Sequence, residues 1–177
     1  MRKVSLFIAM SLDGYIADSE GSVDWLTGQS EGGDNEIDTY AKFVKEVDTI
    51  LMGWNTYYQV TTELSPDKWV YDDFITYVVT HRKNSDSEKI KFTNENPVEL
   101  VKNLKKEKGK KIWVNGGANV IQQLVNENLI DIYYITVIPT ILGSGIKLFG
   151  NRENEIKLKL VKTQSYNGMV DLVYTRR

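Results

Sequence analysis

Cysteine is absent from the 177-residue chain, and histidine occurs only once, at His81. The missing cysteines exclude disulfides, thiolate metal sites and a cysteine nucleophile. The single histidine excludes a zinc or iron site built from several histidines. We therefore expect no resident metal ion.

Long hydrophobic runs and an excess of one charge are missing too. The apolar segment at residues 4–10 is far shorter than the ~20 residues that span a bilayer. No small-residue cleavage site follows it, so it does not resemble a signal peptide. The net charge of −2 argues against a general nucleic-acid binder. We expect a cytoplasmic protein that acts on a small molecule, without membrane or nucleic-acid partners.

The composition is typical of one globular domain over residues 1–177. Apolar residues make up 41% of the chain and charged residues 26%, close to the averages for such domains. A chain of this length buries about 70% of its unfolded surface. It therefore needs no disulfide or metal to stabilise a core.

Strand and helix signals alternate along the chain. The strands are predicted at residues 4–10, 49–52, 74–80, 111–115 and 131–138, and the helices at about residues 34–44, 54–60, 97–108 and 118–125. Residues 156–162 and 169–175 form a final hairpin, whose turn is signalled by Asn167 and Gly168. The order indicates an α/β fold with a mostly parallel central sheet and a C-terminal antiparallel hairpin. In such sheets, ligands bind beyond the carboxyl ends of the strands.

Two adjacent glycines, Gly116 and Gly117, lead from a predicted strand into a helix. They let the backbone approach a bound group closely, and the free N–H groups of a helix N-terminus favour a phosphate. The alternative is an ordinary tight turn, because the segment is not the GxGxxG motif of Rossmann domains. The candidate cofactor residues are Gly116, Gly117, Ala118, Asn119 and Val120.

A second strand-to-helix turn contains Gly53, Trp54, Asn55 and Thr56. Thr56 lies in the first helical turn and could bind a phosphate together with backbone N–H groups. The alternative is an ordinary helix start. Two such turns in one sheet support the phosphate interpretation more strongly than either turn would alone.

A basic cluster follows a third predicted strand, at Thr80, His81, Arg82 and Lys83. An isolated cluster of this kind is usually solvated surface. At a strand end, however, Arg or Lys could clamp an adenosine 2′-phosphate. For a nicotinamide dinucleotide, this favours NADPH over NADH.

Candidate substrate residues lie near the first strand and first helix. Asp13 precedes a glycine and favours a turn, while Trp25 is either a lid over the substrate or a loop anchor. Carboxylates at Glu36 and Asp38 complement a helix dipole. One of them could instead face the pocket and help protonate a substrate nitrogen. Glu36 and Asp38 are therefore the candidate catalytic acids.

Five segments, in this order, resemble the dihydrofolate reductase superfamily, and in particular its branch related to the reductase domain of the bacterial riboflavin-biosynthesis enzyme. They are the SLDG-type first strand and turn at residues 8–17, the Trp-containing loop at 24–27, the MGRxTW-like segment at 52–57, the GG cofactor turn at 114–119 and the P-x-x-L-G-x-G loop at 138–145. The resemblance covers nearly the whole chain.

The resemblance implies a three-layer dihydrofolate reductase-like fold that binds NADPH across the strand ends. It also implies hydride transfer to a pterin- or pyrimidine-like heterocycle. Ala9 and Ile16 would flank the nicotinamide, and Arg82 or Lys83 would hold the adenosine end. The two glycine turns would hold the pyrophosphate. A homodimer, common in this branch, would use residues 130–145.

Several positions depart from the family pattern. Counting back from Gly53 without gaps puts Ile37 where dihydrofolate reductases carry an acid that orients the pterin. Trp54 replaces an arginine, and Asn115 replaces a glutamate of the riboflavin enzyme. These departures motivate an alternative function, a non-catalytic NADPH- or nucleotide-binding module. A conventional Rossmann dehydrogenase is disfavoured, because both the GxGxxG motif and a Tyr-x-x-x-Lys pair are missing.

Overall fold

The computed structural model describes residues 1–30, 38–151 and 155–177, with the backbone alone at Asp38. The strands in these residues are β1 (Val4–Ser11), β2 (Tyr15–Ala17), β3 (Val47–Gly53), β4 (Ile75–Val79), β5 (Ile90–Thr93), β6 (Lys111–Gly116), β7 (Ile132–Ile138), β8 (Ile146–Lys147), β9 (Leu158–Tyr166) and β10 (Met169–Arg176). The α-helices are α1 (Asp38–Lys45), α2 (Trp54–Gln59), α3 (Pro97–Leu104) and α4 (Ala118–Asn126), and a π-helical turn, Val60–Leu64, continues α2.

Eight strands form the central sheet in the order β5-β4-β3-β6-β1-β7-β10-β9. The pairs from β5 through to β7 are parallel. Strand β10 is antiparallel to both β7 and β9. The predicted α/β fold, with its mostly parallel sheet and C-terminal hairpin, is therefore confirmed.

The C-terminal hairpin turns at the dipeptide predicted from the sequence. Asn167 and Gly168 both have positive φ, 44° and 76°, as a two-residue type I′ turn requires. Asparagine and glycine tolerate this region better than other residues. The strong local preference of this dipeptide explains why the hairpin could be placed from the sequence.

Helices cover both faces of the sheet. On one face, α3 and α4 bury a large apolar cluster that includes Leu6, Val101 and Leu124. On the other face, Phe43 of α1 packs with an aromatic cluster around Trp113. Strand β1 is central and contributes to both clusters, which explains its nearly continuous apolar sequence. The result is three layers, with the carboxyl ends of the parallel strands at one edge.

Some elements differ from the sequence prediction. Strand β5 and the short β2–β8 pair were not predicted, because each of these strands has four residues or fewer and is too short to give a clear pattern. Helix α3 ends at Leu104 rather than near residue 108. Its C-cap residue, Lys105, accepts a hydrogen bond from the Arg2 N–H (3.2 Å), which ties this end of α3 to the N-terminal segment. None of the helices in the described part of the chain has the length and apolar character needed to cross a membrane.

Candidate functional site

The two glycine turns predicted at separate strand ends lie against each other. A Cβ placed on Gly117 would lie 3.4 Å from the backbone nitrogen of Gly53, and one on Gly53 would lie 3.5 Å from the Val120 side chain. This proximity follows from the parallel pairing of β3 with β6, which ends both strands at the same edge. Residues 53–56 and 116–120 therefore form one surface.

Gly117 opens α4 with an unusual backbone. It has φ 85° and ψ 108°, and no side chain caps the helix. The first N–H groups of α4 are thus not satisfied by a capping side chain, and the positive end of the helix dipole lies at the same point. Asn119, within this turn, accepts a hydrogen bond from Gln123 (2.6 Å). The arrangement can accept an anion at the start of α4.

Thr56 lies directly over the first glycine of the pair. A Cβ on Gly116 would stand 2.9 Å from the Thr56 hydroxyl oxygen, closer than side chains normally approach. Glycine at this position therefore lets the hydroxyl sit beside the α4 N-terminus. A phosphate there would meet backbone N–H groups and a hydroxyl together.

The basic cluster joins this surface through an aromatic ring. The Arg82 guanidinium carbon lies 5.0 Å from the centre of the Trp54 ring, within the range of a cation–π contact. The Thr80 hydroxyl oxygen accepts a hydrogen bond from the Arg82 N–H (3.0 Å), while His81 and Lys83 are exposed. Trp54, which replaces the family arginine, thus holds an arginine from the neighbouring strand end. This pairing could not be predicted from the sequence, because the two residues follow different strands.

The two residues expected beside a nicotinamide lie in different elements. Ala9 is half-buried on β1 and pairs in register with Thr136 of β7. Ile16 lies on β2 and packs against the apolar cluster on the α3–α4 side. Their contacts with a nicotinamide stay a prediction.

Asp13 joins two loops. Its carboxylate accepts hydrogen bonds from the Ser11 hydroxyl (2.6 Å) and from the backbone N–H groups of Leu142 (3.1 Å) and Gly143 (2.7 Å). The bond from Ser11, together with these backbone N–H groups, lowers the pKa of Asp13. The contacts account for Asp13 as the anchor of the loop after β7, and a contact with substrate stays a prediction.

The structure describes the remaining predicted substrate and catalytic residues to different extents. The Trp25 indole N–H donates to the Ser22 carbonyl in its own loop (3.1 Å). Glu36 lies outside the described residues. Asp38 begins α1, and only its backbone is described. The predicted roles of Trp25, Glu36 and Asp38 stay predictions.

The sequence prediction missed a polar pair at the end of β6. The Asn115 side chain donates to the Tyr71 hydroxyl (3.1 Å), and the Tyr71 ring packs edge-on against Trp113. Burial raises the pKa of Tyr71, so its hydroxyl stays protonated at neutral pH. Tyr71 lies in a segment without a helix or strand signal, which is why it could not be placed beside Asn115.

A comparison with known families matches the RibD C-terminal domain over residues 2–172. The chain belongs to the RibD C-terminal domain family. The predicted resemblance is therefore confirmed. Among the relatives of this family member is the uncharacterized protein YwjB of Bacillus subtilis (strain 168). It is 43% identical, over 99% of this chain and 98% of its own length.

Solved structures agree with the assignment to the RibD C-terminal domain family. A Shewanella sp. PV-4 protein named after riboflavin biosynthesis superposes with a TM-score of 0.84 at 29% identity, covering 99% of both chains. Dihydrofolate reductase from Enterococcus faecalis, complexed with NADP(H) and RAB-propyl, superposes with a TM-score of 0.65 at 16% identity. That match covers 99% of this chain and 96% of the reductase chain. The second match shows the dihydrofolate reductase-like fold.

Proposed function

We propose that this member of the RibD C-terminal domain family is an NADPH-dependent reductase. It transfers hydride to a pterin- or pyrimidine-like heterocycle. The observation that carries the proposal is the meeting of three strand ends in one surface, with Gly53 against Gly117 and Trp54 under Arg82.

The glycine turns fit the pyrophosphate of a dinucleotide. The bare backbone at Gly117 leaves room for a close approach, and the uncapped N-terminus of α4 supplies N–H donors. Thr56 adds a hydroxyl at the same point. This donor set suits phosphate oxygens, which accept several hydrogen bonds at once.

The Trp54–Arg82 pair fits the adenosine end. Trp54 orients the Arg82 guanidinium by stacking, and a fixed guanidinium binds a phosphate through two parallel hydrogen bonds. The extra 2′-phosphate is what distinguishes NADPH from NADH. Arg82 therefore supports a preference for NADPH.

The remaining chemistry divides between cofactor and protein. Bound NADPH supplies the hydride. The protein fixes the two ring systems relative to each other and keeps water away from them. The side chain of Ala9 is only a methyl group, which leaves room for a flat ring against the sheet. Tyr71 and Asn115 form a neutral polar edge at the end of β6.

Titration with NADPH and NADH tests the proposal. Energy transfer from Trp54 to the reduced nicotinamide reports binding. We expect tighter binding of NADPH than of NADH, and we expect Arg82→Gln to weaken NADPH binding by roughly tenfold or more, because it removes a charged hydrogen-bond donor. The same substitution should change NADH binding much less, because NADH lacks the 2′-phosphate.

Arg177→Gln is the matched control, since the Arg177 side chain donates to the Leu158 carbonyl (3.0 Å) at the start of β9, away from the glycine turns. Its NADPH affinity should equal that of the wild type. No binding at millimolar NADPH would overturn the proposal. Binding without NADPH oxidation, in the presence of dihydrofolate or reducible pyrimidines, would favour the non-catalytic module instead.

A further inference from the structure

A buried carboxylate on β10 has only half of its hydrogen bonds. Asp171 is 5% exposed, and its Oδ1 accepts from the Thr136 hydroxyl (2.7 Å) and from the Tyr166 hydroxyl (2.9 Å). Its Oδ2 is buried and has no partner among the described residues. Leaving such an oxygen unpaired costs free energy, and a hydrogen-bond donor from a ligand would remove this cost.

The carboxylate lies in one row with the predicted nicotinamide residue. Ala9 of β1 is the register partner of Thr136 on β7, and Thr136 is the register partner of Asp171 on β10. Register partners project from the same face of a sheet. Two strand spacings, about 10 Å, therefore separate Asp171 from Ala9. Ala9 and Thr136 are half-exposed, so the row runs from a buried carboxylate toward an accessible floor.

This row faces α1. Two residues earlier on each strand, Phe7 and Tyr134 stack on each other and pack against Phe43 of α1. Thr39 lies one helical turn before Phe43, on the same side of α1. Its hydroxyl is also buried without a partner among the residues described. The layer between α1 and the sheet thus holds a second unused polar group.

No described cation neutralises Asp171. None of the ion pairs between described residues includes it. Burial, followed by the hydrogen bond to Asp171 and its charge, raises the pKa of Tyr166 to about 12. The Tyr166 hydroxyl therefore stays a donor at neutral pH. With Thr136 and Tyr166 both donating to Oδ1, Oδ2 is left as an acceptor for an N–H group.

We propose that Asp171 is a substrate-anchoring carboxylate of this site. Its free oxygen accepts a hydrogen bond from a ring N–H or amino group of a nitrogen heterocycle that lies over Thr136 beside Ala9. Thr136 and Tyr166 are positioning residues, which fix the other carboxylate oxygen. The inference rests on the proposed reductase function. It places the substrate-binding carboxylate on β10, whereas the sequence analysis placed it at the start of the first helix.

Ligand-observed NMR with two pyrimidines of the same shape tests the inference on the full chain with NADPH present. The first probe, 2,4-diaminopyrimidine, carries amino donors, and the second, 2,4-dimethylpyrimidine, lacks them. The wild type should bind the diamino compound at least tenfold more tightly than the dimethyl compound. Asp171→Asn should lose most of this preference, because the neutral amide is a weaker acceptor. Its NADPH affinity should stay within about twofold of the wild type.

Tyr166→Phe separates anchoring from a structural role. It removes one hydrogen bond to Asp171 but keeps the carboxylate, so the preference for the diamino compound should survive. Equal loss in both variants would overturn the inference, as would equal binding of the two pyrimidines by the wild type. The wild-type comparison holds even if Asp171→Asn fails to fold. Failure of the proposed function would instead appear as absent NADPH binding in the wild type.

Discussion

Buried carboxylates in this protein differ in how many hydrogen-bond and ion-pair partners they have. Asp131 has two cationic partners: it accepts from the Lys105 ammonium (2.9 Å) and the Arg176 guanidinium (3.3 Å), as well as from the Val4 N–H (2.8 Å). Its side chain is 10% exposed. Burial alone would raise the pKa of Asp131, but the Val4 N–H and Lys105 hold the pKa below its ordinary value. Asp131 therefore stabilises the fold while it is ionised.

Asp131→Asn should lower the free energy of unfolding at pH 7 by about 2 kcal/mol, because Lys105 is left buried without its counter-charge. Because the folded pKa is lowered, the contribution of Asp131 is present above the ordinary value of 3.8 and is lost as pH falls through the folded pKa. Urea unfolding should therefore show the variant and the wild type converging in strongly acidic buffer.

Glu99→Gln is the control for this comparison. Glu99 pairs with Lys102 on the surface of α3, with both side chains largely exposed. Such pairs contribute about 0–1 kcal/mol. A loss at Glu99 as large as that at Asp131, or a difference at Asp131 that does not change with pH, would contradict the assignment.

At this scale the sequence predicts residues that act through local backbone and misses those that act through distant partners. Gly117 and Arg82 stand directly at strand ends and could be singled out from neighbouring residues. Asp171 could not, because in sequence it reads as one polar position of an alternating strand. Its importance depends on Thr136, 35 residues away, and on the register that aligns both with Ala9.

Among the elements, the turn between β6 and α4 combines a backbone that favours glycine with a close approach to another turn. Gly117→Ala would place a Cβ at φ 85°, where L residues are strained, and against Gly53 at 3.4 Å. We expect a loss of stability of about 1–2 kcal/mol and a loss of NADPH affinity of tenfold or more, because the strained backbone shifts the N–H groups at the start of α4. Thermal melts and the fluorescence titration measure the two effects.

Gly21→Ala provides a matched control for the turn. Gly21 has φ 86°, and a Cβ there meets nothing within 4 Å. It should therefore show a similar loss of stability with unchanged NADPH affinity. If Gly117→Ala bound NADPH as tightly as Gly21→Ala, the turn would not be part of a cofactor site.

Elements with strong local signals were predicted, and elements defined by their neighbours were not. The β9–β10 hairpin follows from one dipeptide turn, and α3 begins at its Asn96 cap, which accepts from the Val98 N–H (2.8 Å). Strand β5 contains two apolar residues in four and forms by pairing with β4. Its apolar and polar residues alternate, but over only four residues, which is too short a pattern to distinguish it from a loop.

At the scale of the whole molecule, the order of strands in the sheet brings the candidate cofactor segments together. The segments at Gly53, Arg82 and Gly117 lie 29 and 35 residues apart in sequence, yet β4, β3 and β6 are consecutive neighbours in the sheet. A dinucleotide bound across their ends would contact three strands and the start of α4 together. Unfolding would break all of these contacts at once, so binding and global stability are coupled.

NADPH should therefore raise the melting temperature of the intact chain. At a hundredfold excess over its Kd, a ligand that binds only the folded state contributes about 2.7 kcal/mol. For a domain of this size, that corresponds to a rise of roughly 5–11 °C. At the same concentration, Arg82→Gln should show a smaller rise, because its affinity is lower. Differential scanning fluorimetry with ATP in parallel supplies the control, and an equal rise with ATP would mean that the strand ends bind phosphates in general.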